Sequence, residues 1–310
     1  MDSNCYVLLW NVRCAGERRL ASGLTLRPLN APLSVFDLAA AGAVGFRGWA
    51  CIEPIARDCV FEIESSKDSD VTPGYDTLNR AWLASALLIL RGYGDMLPIA
   101  VSAYSWSLVA GFQKRTSEIR KNQIISEGPE SAIANPVAEL SRFTGHLLDY
   151  RLKLIGCPAA AHRDIADHDV DWIHVHYDAF NRMASSSERF RFALEAVIDW
   201  RYAHDLRSAL ARIWAGIESL FGINAELVYR LSITAASLLR PRGEARIEYA
   251  ERIKKLYSVR SKAVHGDEVS AEKLSEALDQ SFVLLRDLIT HSIVLGRDIK
   301  ERDIQVAIMS

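Results

Sequence analysis

The sequence predicts an α+β fold, a small mixed α/β N-terminal domain followed by an all-α helical bundle. Three observations carry this. Short runs rich in β-branched and aromatic residues, such as Tyr6-Val7-Leu8-Leu9-Trp10, fall within the first 111 residues. From Ser187 onward, apolar residues recur at helical spacing through successive long segments. Gly222, Gly266 and the Arg240-Pro241-Arg242-Gly243 turn stand where such segments should end.

Taken in order, Cys5–Arg13 reads as a strand, Ala15–Arg18 as a turn, and Leu20–Leu26 as a strand pairing back. Pro28 and Pro32 interrupt, and Val35–Ala43 suits a short helix. Ala50–Ile52 and Cys59–Ile63 are strand candidates, Ser65–Gly74 is a polar loop, and Tyr75–Leu90 is a helix opened by Asp76. Within it, the most apolar segment, Ala81–Leu90, is ten residues between Arg80 and Arg91, half a membrane span and therefore a buried helix. Ile99–Leu108 reads as a further strand. Residues 1–111 thus form the N-terminal α+β domain, which carries no nucleotide-binding glycine motif, no Walker loop and no catalytic carboxylate pair.

Residues 112–186 read as a linker with helices. Phe112–Pro136 is charged and punctuated by Gly and Pro, and Val137–Ile155 is an amphipathic helix stopped at Cys157-Pro158. A His/Asp cluster follows: His162, Asp164, Asp167, His168, Asp169, Asp171, His174, His176 and Asp178. Trp172–Tyr177 alternates apolar and polar residues, as in a strand that would aim His174 and His176 the same way. The fixed spacing of a site such as His-Glu-x-x-His is missing, so the cluster reads as a polar surface linker and no metal is assigned.

The bundle spans 187–297, with a tail at 298–310. Ser187–Trp200 places Phe190, Ala193, Leu194 and Val197 on one stripe, and His204–Phe221 places Leu206, Leu210, Ile213, Trp214, Ile217 and Leu220 on another. Ala225–Leu239 and Glu244–Val264 follow, and Ser270 is the N-cap of Ser270–Leu295. These segments suit an antiparallel bundle.

The stretch that organises the chain is Arg260-Ser261-Lys262-Ala263-Val264-His265, closed by Gly266. Arginine clamps phosphate oxygens through a planar fork of donors, and histidine moves a proton near neutral pH. Together they suffice to cut RNA without a metal: a base for the ribose 2′-hydroxyl and a cation for the charge growing on phosphate. Upstream lie Ile217-Glu218-Ser219-Leu220-Phe221, Ala225-Glu226-Leu227 and Tyr229-Arg230-Leu231-Ser232, and Leu256-Tyr257-Ser258-Val259 leads into the motif. In this order and spacing, residues 187–297 resemble an Apea-like HEPN domain. The resemblance implies a helical bundle, commonly dimeric. It further implies one of two activities. The first is a metal-independent endoribonuclease, a toxin or phage-defence effector cleaving tRNA or other single-stranded RNA, with an antitoxin or defence-system protein as partner. The second is a non-catalytic scaffold that dimerises and binds RNA, nucleotide or protein.

On an ideal helix, five positions set Arg260 and His265 about 140° apart. Either the last turn loosens near Gly266, or a complete site takes groups from two chains, which a two-fold homodimer supplies. Glu218, in an apolar helix, needs a partner, which Arg230 or Arg260 can provide. It then orients Arg260 or acts in the chemistry itself. Ser261 either bonds phosphate or faces solvent, and Tyr257 either packs in the core or stacks a base. Arg240–Gly266 holds eight basic and three acidic residues, 8 − 3 = +5, in a chain of net charge −2. Lys254, Lys255, Lys262 and Arg252 are the candidate RNA-binding cations. The bland alternative for the same charges is a solvated helix face.

Net charge of −2 leaves room for a basic patch and excludes a chain that coats nucleic acid throughout. The hydrophobic share of 49% and the charged share of 25% suit a folded core. Five cysteines, an odd number without a Cys-x-x-Cys pair, read as reduced thiols in the cytoplasm, and Met1–Asn4 lacks the basic start of a signal peptide. No cofactor is expected.

Overall fold

The computed structural model describes residues 4–44, 49–67, 72–112, 114, 117–118, 145–147, 155–156, 164–222 and 227–309. Its architecture is α+β. Two compact units are distinguished: Met1–Ser85, Met96–Leu152 and Arg163–Val170 in the first; Ala86–Asp95, Lys153–His162 and Asp171–Ser310 in the second.

The first unit is built on an antiparallel sheet. Its strands are β1 (Cys5–Trp10), β2 (Arg18–Ala21), β3 (Leu24–Pro28), β4 (Phe61–Ser65), β5 (Leu97–Ser102) and β6 (Gly145–Leu147), in the order β2-β3-β4-β1-β5-β6. Val7 stands opposite Ile63 on one side and Val101 on the other. Successive residues Val7, Leu8 and Leu9 are all fully buried, so both faces of the central strand are covered. The β2–β3 hairpin turns at Ser22-Gly23, where Gly23 has φ 66°, a left-handed conformation open to glycine. Glu62 on β4 is fully buried and accepts from Arg27 Nε at 2.8 Å, Ser105 Oγ at 2.7 Å and the Trp106 backbone N–H at 2.7 Å. Burial pushes its carboxyl up, and these donors oppose the shift.

Three expectations are corrected here. Ala50–Ile52 is not a strand: it lies in α2 (Trp49–Ile52), which follows α1 (Val35–Val44) and runs into a 3₁₀ turn at Glu53–Asp58. Pro54 in that first turn cannot donate to a ladder and fixes a helical φ. The strand expected over Ile99–Leu108 is β5, ending at Ser102. Ser105 then caps a 3₁₀ turn at Trp106–Leu108 by accepting from the Ser107 N–H at 3.1 Å. Of the amphipathic helix expected over Val137–Ile155, Gly145–Leu147 is strand β6 instead, with His146 opposite Val101. Pairing with β5 supplies backbone partners that outweigh the local helical pattern. Residues 137–144 and 148–154 lie outside the described residues.

Helices α3 (Thr77–Leu90) and α4 (Asp167–Ser186) each contribute residues to both units. The strand reading of Trp172–Tyr177 is overturned, because the segment lies inside α4. Val170, Ile173, Tyr177, Phe180 and Ala184 make one buried helical stripe, and that longer period decides the structure over the brief alternation. His174 is exposed, and His176 stacks on Trp172 with ring centroids 4.4 Å apart. Among the described residues, no group of three or more His, Cys, Asp or Glu is placed to hold a metal ion. None of the described helices is long and apolar enough to cross a membrane.

The second unit is helical: α5 (Glu188–Asp199), α6 (Leu206–Phe221), α7 (Leu227–Leu239), α8 (Glu244–His265), α9 (Ala271–Leu295) and α10 (Glu301–Met309). The caps are local. Ser187, Asp205 and Ser270 each accept a backbone N–H at a helix start, and Gly222 closes α6 with φ 59°. Helix α6 packs against α5, α8 and α9. A Cβ on Gly216 would stand 2.7 Å from the Ala196 Cβ, so this close crossing of α5 and α6 requires glycine. Fully buried Trp214 donates to Ser281 Oγ at 3.0 Å. The expected tail at 298–310 is another correction, because Glu301–Met309 is helical and packs on α7. Ile304 is its buried anchor, and Arg297 fixes its first turn through two bonds to Asp303. Ala225 and Glu226 lie outside the described residues.

Candidate functional site

Helix α8 stays regular from Glu244 to His265 and closes at Gly266, whose φ is 85°. The Asp267 N–H reaches back to the Lys262 carbonyl at 3.0 Å, completing the C-terminal turn. From the first turn of α6, Arg207 donates to the carbonyls of Ala263 at 2.9 Å and Asp267 at 2.8 Å. The first bond caps a carbonyl that a helix end leaves open, and the second ties down the residue after Gly266. Arg207 was not among the expected site residues. Its partners lie 56 and 60 residues away in sequence, so no local pattern marks it.

Since the last turn does not loosen, Arg260 and His265 remain about 140° apart on one helix. Arg260 turns inward and is half-buried. Its Nη2 lies 3.3 Å from Glu218 Oε1 on α6, and its guanidinium carbon lies 5.4 Å from the Tyr257 ring centroid. Tyr257 in turn meets Trp214 edge-on at 5.2 Å. Of the two expected partners for Glu218, Arg260 takes the place, while Arg230 is exposed and lies 3.5 Å from Glu301. The Glu218–Arg260 contact is one of charge. Neither Glu218 Oε1 nor Arg260 Nε has a hydrogen-bond partner among the described residues. Burial raises the Glu218 carboxyl above its usual range, and the Arg260 charge opposes that shift.

His265 is exposed at the helix end, and Ser261 is half-buried beside Arg260. The +5 counted along Arg240–Gly266 does not form one surface. Arg246 donates to the Ala307 carbonyl at 2.8 Å and Arg242 to that of Met309 at 3.4 Å, so both serve the C-terminal end of α10. Lys254 pairs with Glu251 at 2.7 Å and stands 5.6 Å from the Tyr229 ring centroid. Arg252 is exposed, 5.9 Å from the Tyr249 ring centroid. Lys255 and Lys262 are exposed, about 20° apart around the helix, and His265 follows about 60° from Lys262. One outer face of α8 therefore presents Lys255, Lys262 and His265, and the opposite side holds Arg260.

No family model matches this chain, and neither does any curated protein or solved structure.

Proposed function

We propose that the chain is a metal-independent endoribonuclease of the HEPN type that works as a two-fold homodimer. The observation that carries this is the division of the motif across α8: an exposed His265 beside two exposed lysines, and a half-buried Arg260 whose Nε has no hydrogen-bond partner among the described residues. Arg260 of one chain and His265 of its partner then complete a site that one helix cannot. His265 takes the proton of a ribose 2′-hydroxyl, whose oxygen attacks the adjacent phosphorus. The bond from phosphorus to the 5′-oxygen breaks, that oxygen leaves as a hydroxyl on receiving a proton, and a 2′,3′-cyclic phosphate remains. Arg260 neutralises the charge growing on phosphate, held in place by Glu218 and Tyr257. Lys255 and Lys262 supply sequence-independent attraction to the strand. The role that fits is a toxin or phage-defence effector in the cytoplasm acting on tRNA or other single-stranded RNA, restrained by an antitoxin or defence partner.

One observation favours a second reading, a non-catalytic dimerising scaffold: the Arg260 charge already faces Glu218 at 3.3 Å. RNA cleavage in EDTA separates the two. The first reading expects cleavage to persist in EDTA and to fall by about 10²–10⁴-fold in His265→Ala. It should fall comparably in Arg260→Ala, with incomplete rescue by Arg260→Lys, which lacks the planar fork. Cleavage that survives both alanine substitutions, or that requires a divalent ion, overturns the mechanism. A wild-type chain that binds RNA without cutting it supports the scaffold.

A further inference from the structure

A groove between α8 and α9, lined on α8 by residues from Tyr249 to Leu256 that precede the Arg260–His265 motif, has a cavity of about 210 Å³. That is smaller than the roughly 300–1,000 Å³ of pockets for drug-sized ligands, and it suits a single flat ring system. Its lining combines three chemistries. Leu256 and Val283 contribute an apolar wall. Arg240 lies with its guanidinium carbon 4.2 Å from the Tyr249 ring centroid, so the ring backs the guanidinium. The exposed Arg252 flanks the same ring at 5.9 Å. Opposite, on α9, stand Asp279 and Gln280. Asp279 is half-buried, and burial raises its carboxyl.

A carboxylate accepts hydrogen bonds at two oxygens and donates none. The ligand edge that meets it should therefore present two adjacent donors. Among the nucleobases, guanine offers that edge through its N1–H and exocyclic amino group, whereas adenine offers a donor beside an acceptor. A guanidinium plane backed by an aromatic ring is a surface on which bases stack, and an exposed arginine suits a phosphate. We infer that this groove is a guanine-nucleotide subsite, with Asp279 reading the base edge, Arg240 stacking on the base and Arg252 holding the phosphate. The inference rests on the groove's own chemistry and does not depend on RNA cleavage.

Calorimetric titration of the full-length chain with GMP, AMP and guanosine tests it. The expected result is GMP binding about tenfold to a hundredfold tighter than AMP, the discrimination of a hydrogen bond to a charged group. Asp279→Asn should erase that preference while leaving AMP binding and the melting temperature unchanged. Arg252→Ala should weaken GMP and leave guanosine unaffected. Competition then distinguishes the two sources of this chemistry. Displacement of GMP by a single-stranded oligonucleotide containing one guanine points to RNA, and its failure to compete points to the free nucleotide. Equal affinities for GMP and AMP, or no heat with GMP at millimolar concentration, overturn the assignment without bearing on cleavage.

Discussion

Glu62 and Glu218, one carboxylate in each unit, both meet an arginine, and their surroundings differ. Glu62 in the sheet is fully buried and takes bonds from Arg27, Ser105 and the Trp106 backbone. Arg27 itself has a second carboxylate, Glu64, at 2.7 Å. Among the described residues, Glu218 in the helical unit meets the charge of Arg260 without a hydrogen bond to its Oε1, and the Arg260 Nε is likewise unbonded. A saturated network fixes structure, because every buried group has its partner. An under-bonded pair has donors and acceptors to spare, which suits an arginine that must also take a phosphate.

The comparison breaks or sharpens first on stability. Glu62→Gln removes a fully buried carboxylate charge from its half-buried partner Arg27 and places an amide before three donors. It should cost about 3–5 kcal/mol in urea unfolding. Glu218→Gln should cost less than about 1 kcal/mol, since its contact is partly exposed and unsupported by hydrogen bonds. Its larger effect should be on RNA cleavage, about tenfold slower, as Arg260 loses its orienting charge. Equal stability losses for the two substitutions would remove the distinction.

How far these features are legible in sequence follows the range of the interactions. The helices of the second unit announce themselves through side chains that act within four residues: Ser187, Asp205 and Ser270 at starts, Gly222 and Gly266 at ends. Glu218 stands alone in an apolar stripe, so its need for a cation is readable, and its proximity to Arg260 is the arrangement found. Arg242 and Arg246 show the limit. They count toward a basic patch in sequence, but their guanidinium groups serve carbonyls of α10, 67 and 61 residues away. The same holds for Gly145–Leu147, whose strand exists through its pairing with β5. Alternation over Trp172–Tyr177 misleads because the window is shorter than the stripe that runs from Val170 to Ala184.

A further arginine–carboxylate pair, Arg297 and Asp303 at the start of α10, adds a dependence on pH. Asp303 accepts two bonds from Arg297 and one from the Lys300 N–H, which hold its carboxyl at about 2. Since the folded value lies below the ordinary 3.8, its contribution is complete above that pH and is lost as the pH falls toward 2. Asp303→Asn should therefore lose stability at pH 7, with the gap to wild type closing in acid. A gap that persists at pH 2 would assign the effect to packing of α10 instead.

The most direct test of the composite site mixes two inactive chains. Arg260→Ala and His265→Ala proteins, each unable to cut RNA alone, are unfolded together, refolded and assayed in EDTA. A heterodimer joins the intact His265 of one chain to the intact Arg260 of the other, so one of its two sites is whole. Random pairing makes half of the dimers heterodimers, and the account predicts recovery of about a quarter of wild-type cleavage. A mixture as inactive as its components, with heterodimers shown to have formed, would contradict it.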